Sequence, residues 1–133
     1  MPLPPVHLSA EHAELLKPRP KEGQPPTLPE LHMQFATEQP DPAWSLRTEQ
    51  ALQQYLAQTP YANEFEILNA ECRATLCELT AFGNLPASGQ HWGSLLADMA
   101  SQPWWTSFQG HSTTHFEKNG RTTIVTILQR AKL

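Results

Sequence analysis

The chain carries little that would staple, charge or anchor it. Its 133 residues include two cysteines, six glycines and nine lysines and arginines, and no run of eighteen apolar residues. Each shortage excludes something. Nine basic against 13 acidic residues give a formal charge of -4 with no basic cluster, so the electrostatic footprint of a nucleic-acid binder is missing. No glycine-rich phosphate loop, GxSxG or HExxH motif occurs, so no cofactor and no familiar catalytic constellation is expected. Without a long apolar run there is no spanning helix, and MPLPPVHLSAEHAELLKPRP lacks the apolar stretch and cleavage site of a signal peptide.

What is present is unevenly spread. Ten of the 13 prolines fall within residues 1–42, where fixed φ and missing backbone donors work against regular structure. Residues 1–40 read as a flexible Pro-rich tether, and 41–133 as one α+β domain. Short helical turns fit SAEHAELL and PELHMQFA, but segments of that length fold only by docking on something else.

From Asp41 the pattern changes. Asp41 is a good N-cap, Pro42 suits the first helical position, and Trp44, Thr48, Ala51, Leu52, Tyr55 and Leu56 form one stripe before Pro60. A helix over about 42–58 follows. FEILNAEC and TLCELTAF are strand-like and joined by RATL as a hairpin loop. A second helical stripe places Trp92, Leu95, Leu96 and Met99 together, with Ser88 as cap and Gly93 as a weak point. Asn119-Gly120 between two strand-rich runs marks a second hairpin. The order helix, hairpin, helix, hairpin predicts a four-stranded, mainly antiparallel sheet with both helices on one face and the other face partly open.

The two cysteines sit at the first hairpin. With RATL as the loop, cross-strand partners sum to 149, so Cys72 faces Cys77, Ala70 faces Leu79 and Leu68 faces Ala81. The other face then pairs Glu71 with Glu78, Asn69 with Thr80 and Ile67 with Phe82. Opposed residues lie within disulfide reach, and so short a loop makes the bridge a local clip. Reduced buried thiols, a redox pair and a metal site remain the alternatives. The spacing is not CxxC, and zinc would need two further ligands, with His111 and His115 about 13 Å apart on one strand.

The combination DPAW followed by ECRATLCEL resembles a group of uncharacterised proteobacterial proteins, often exported or membrane-anchored. These carry a helix with an early Trp and then a hairpin reading roughly E-C-R-x-x-L-C. The likeness covers about residues 41–82, and Cys72, Arg73, Leu76 and Cys77 match the hairpin pattern. It implies an extracytoplasmic, periplasmic α+β domain of unknown activity beyond a Pro-rich spacer, which would tether it through the N-terminus. The absence of a leader in this sequence leaves a cytoplasmic location as the alternative.

Two groups of residues invite a chemical reading. Glu71 opposite Glu78 has the spacing of a retaining-glycosidase pair, and His111 with His115 could serve a metal or a general base. Solvated carboxylates and solvent-facing histidines are the bland counterparts. QPWWTSF is richer, because Trp104, Trp105 and Phe108 gather large apolar area in a connection. They either close the core or anchor a protein or peptide partner, and Arg73 in the hairpin loop joins them as a partner-binding candidate. TTIVTILQ, read as an edge strand, offers a second docking surface by strand addition. The function expected is a non-catalytic protein-interaction or sensor-like domain. The alternative is a small hydrolase or ligand-binding domain using Glu71/Glu78 or His111/His115.

Overall fold

A computed structural model describes residues 27–131. Within them the order is α1 (Leu28–Thr37), α2 (Pro42–Gln58), β1 (Phe65–Cys72), β2 (Leu76–Gly83), α3 (Ser88–Met99), a 3₁₀ turn (Pro103–Ser107), β3 (Phe108–Lys118) and β4 (Arg121–Arg130). The strands form one antiparallel sheet in the order β1-β2-β4-β3. The expected α+β architecture of two helix-hairpin units is present.

The α2 stripe forms as its sequence dictates. The Asp41 carboxylate accepts from the Ala43 and Trp44 amides, and Trp44, Thr48, Leu52 and Leu56 turn inward. On α3, Trp92, Leu95, Leu96 and Met99 do the same. Both helices cover one sheet face, where they meet Ala70, Cys72, Cys77, Leu79, Ala81, Ile124 and Leu128. Ser88 does not cap α3 as expected, since Ala87 is the capping position. The buried Ser88 hydroxyl instead accepts from the Leu85 amide and donates to Glu64.

The opposite face is not open. α1 lies on it, packing Leu28, Leu31 and Phe35 against Leu76, Val125 and Ile127. A helix of ten residues gains its stability from such packing rather than from propensity. Residues 28–37, placed in the expected tether, are thus a docked helix, because LPELHMQFA carries an i, i+3, i+7 stripe of Leu28, Leu31 and Phe35 that the sheet buries. The other expected turn, SAEHAELL, lies outside the described residues.

Arg73 belongs to this docking and not to an outward surface. It is 6% exposed, its Nη1 donates to the Phe35 carbonyl at 2.6 Å, and its guanidinium lies 4.3 Å over the Phe35 ring. That carbonyl, in the last helical turn, also accepts from the Glu38 amide at 3.2 Å. Thr75 completes the clamp through its amide, which donates to Glu38 at 2.9 Å.

The first hairpin keeps the expected register from Cys72↔Cys77 to Asn69↔Thr80 and then departs from it. Leu68 is a bulge, after which Ile67 pairs with Ala81 and Phe65 with Gly83. One extra residue swaps the faces, so Ile67 packs against the helix-side core while Leu68 is 43% exposed. Cys72 and Cys77 form a buried disulfide with Cα atoms 4.0 Å apart, the closeness of a non-hydrogen-bonded pair.

In the second hairpin, Asn119 (φ 56°) and Gly120 (φ 76°) make the turn that their dipeptide promises. The structure corrects the position of β4. TTIVTILQ is a central strand, with Thr122 to Leu128 buried without a break. A continuous apolar and threonine run is what a strand covered on both faces requires. The edges are β1 and β3.

Candidate functional site

α3 covers β4 and overhangs β3, and the side it turns toward β3 carries only small residues. Gly93, Ala97 and Ala100 are exposed there and, with Gly89, border a groove of about 520 Å³ between α3 and β3. Trp92, Leu96, Trp105 and Phe108 supply its apolar surface, and His111, Thr113 and His115 line the strand side. Past His115 the hollow continues between Pro86, Gln90, Glu117 and Thr122 as a second space of about 550 Å³.

Glycines are informative here. A Cβ on Gly89 would sit 2.8 Å from the His115 ring, so that glycine is explained by packing. Gly110 follows a bulge at Gln109 in β3, a usual place for glycine, but Gly93 has no such reason: a Cβ on either would meet nothing within 4 Å, and neither has a positive φ. Both line the groove. A glycine inside a helix costs about 1 kcal/mol against alanine, so an unexplained one marks a place where space is retained.

The strand side offers hydrogen bonds. The two-residue loop makes Lys118 and Arg121 the closing hydrogen-bonded pair, so even-numbered residues of β3 bond to β4. His111, Thr113, His115 and Glu117 then direct their amides and carbonyls to the free edge. The contact between the Thr113 and Thr126 hydroxyls, 2.7 Å, agrees with a non-hydrogen-bonded pair, in which side chains lie closer. Thr126 also accepts from the buried Trp92 indole at 2.8 Å, which fixes the floor of the groove to its wall.

Aromatic rings close one end. Trp105 packs edge-on against Phe108 at 5.6 Å and His111 at 5.9 Å, and Trp104 continues the band to Tyr55 at 6.1 Å. Trp104 and Trp105 are both half-buried against the core, whereas Phe108 is 7% exposed and Trp44 backs it at 6.0 Å. Tyr55 donates to Asp98 at 2.8 Å, and burial together with that bond pushes its phenol up to about 12. It stays a neutral donor and secures α2 to α3.

The structure separates the remaining sequence candidates. Glu71 and Glu78 are cross-strand partners, but Glu78 is fully buried under α1 with His32 Nδ1 2.5 Å from its Oε2. Glu71 faces Arg73 at 3.8 Å. The two carboxylates thus have different partners and different solvent access, unlike a pair flanking a substrate. His111 and His115 share the groove as exposed strand residues, with Thr113 between them. Among the described residues no three His, Cys, Asp or Glu side chains gather to hold a metal ion.

Of the residues singled out in the sequence, Trp105, Phe108 and the two histidines line this groove, while Gly110 and the placing of α3 beside β3 were not anticipated. Gly93 was the available signal, a glycine interrupting an otherwise good helical stripe. No family model, curated protein or solved structure matches the chain.

Proposed function

We propose that this domain is a non-catalytic, disulfide-clipped interaction module that takes an extended segment of a protein partner along β3 and under α3. The single observation that carries the reading is the groove itself, where Gly93, a helical glycine without a packing reason, borders an unpaired strand edge. An added strand would bond to the outward groups of His111, Thr113, His115 and Glu117. Its alternate side chains would enter the space beside Gly93, with Trp105 as the rigid anchor. The buried Cys72–Cys77 disulfide supports an oxidising, extracytoplasmic setting, as does the likeness of the ECRATLCEL hairpin to exported domains.

The test is selection from a displayed library of random peptides on the wild-type domain, Gly93→Leu and Thr113→Pro. Peptides of alternating pattern should be enriched by the wild type alone, and Trp105→Ala should weaken them about 30-fold. Peptides that hold all three proteins equally would move the binding surface elsewhere. The compartment is tested separately by counting free thiols in unreduced, denatured protein from its native source, where none is expected.

A further inference from the structure

We infer that the strand accepted by this edge is β3 of a second copy, so that two domains join their sheets across a twofold axis at Thr114. The inference rests on the strand-addition reading and names its partner. Two antiparallel β3 strands centred there pair Thr113 with the other copy's His115, Ser112 with Phe116, His111 with Glu117 and Gly110 with Lys118. An isologous contact makes each pairing twice.

That register is selected by complementarity. It sets an imidazole against a carboxylate at both ends of the helix-side face, and it places hydroxyls near the centre. Moving the axis to Thr113 instead sets His111 against His115 and leaves Glu117 opposite Gln109. The positions involved are free to take part, since His111, Thr113, His115, Glu117 and Lys118 are all exposed. Gly110, with nothing within 4 Å of a Cβ, gives the Lys118 stem of the other copy a surface to cross. On the helix side, Gly93, Ala97 and Ala100 let the two α3 helices approach over the axis where long side chains would hold them apart.

Sedimentation equilibrium over a range of concentrations tests this on the full chain. The wild type should be a dimer that dissociates on dilution, and Thr113→Pro should be monomeric, because it removes an outward donor. His111→Glu and Glu117→His alone should each loosen the dimer about tenfold, by setting like groups opposite one another. The double variant His111→Glu with Glu117→His should restore it. These two positions are exposed, so the exchange remains decisive even if the proline variant fails to fold. A monomer at every concentration overturns the inference, as does a dimer indifferent to the single substitutions or not restored by the double one. If selected peptides still bind β3 in a monomeric protein, strand addition stands and only the second copy falls.

Discussion

The two edges of the sheet are treated in opposite ways. Along β1, α2 presents Glu49 and Gln53, one turn apart, to the outward groups of the strand. Gln53 donates to the Ala70 carbonyl at 3.1 Å and Glu49 accepts from the Cys72 amide. Burial, and then the Glu71 carboxylate nearby, hold the Glu49 carboxyl above its usual range, a cost borne where the edge is closed. The bulge at Leu68 interrupts the rest of that edge, and the disulfide pins its end. Along β3, α3 presents Gly89, Gly93 and Ala97 at the same four-residue spacing. Among the described residues no side chain bonds to the outward backbone groups of 111–117. A helix that turns long polar side chains to an edge seals it, whereas one that turns Gly89, Gly93 and Ala97 to it leaves a groove.

Proline substitution should break the comparison most strongly. Thr114→Pro removes a bond to β4 and should cost about 3 kcal/mol or more in denaturant unfolding. Thr113→Pro removes only an outward donor and the hydroxyl contact with Thr126, about 1 kcal/mol. A larger loss for Thr113→Pro would mean that the assignment of free and paired groups is reversed, and equal losses that the two positions do not differ.

Removing the clip comes next. Cys72→Ala with Cys77→Ala should lower stability by about 2 kcal/mol, and reductant should destabilise the wild type but leave the variant unchanged. Opening the sealed edge is milder: Gln53→Ala should cost about 1 kcal/mol and speed amide exchange at Cys72 and its neighbours. Gly93→Ala should act with the opposite sign, gaining up to about 1 kcal/mol because the new methyl meets nothing. Stability gained as binding falls is the signature of a position kept open for a partner.

The smallest effect is pH dependence at the end of the closed side. The Arg130 guanidinium, followed by the Trp44 amide, holds the Asp41 carboxyl below its usual range. A carboxylate lowered in the folded state contributes stability above its unfolded value and loses it as pH falls through the folded one. Asp41→Asn should therefore flatten the stability curve below about pH 4 and change little at neutrality. A full acid limb in that variant would place the titration elsewhere.

Much of the fold was legible because it follows local rules. The Asp41 cap, the α2 and α3 stripes, the Asn119-Gly120 turn and the facing cysteines all need only short-range information. What was not legible depends on long-range placement. Nothing local says that Leu68 is the residue left out of the register, that PELHMQFA finds the second sheet face, or that Arg73 turns inward to hold it. β4 is legible in type but not in position, because a run of strand formers does not say whether one neighbour or two pairs with it. The site lay further out of reach, since a groove is made by two elements and its clearest residues, Gly93 and Gly110, are defined by what does not touch them.

The most direct test of an open β3 edge as the docking surface is residue-resolved amide exchange, measured as protein concentration is raised and again with a selected peptide. In dilute free protein the amides of His111, Thr113, His115 and Glu117 should exchange fast, while Cys72 exchanges slowly. Added partner should protect those four and leave β1 unchanged. Protection appearing on β1 or α1 instead, with the four β3 amides still fast, would contradict the account.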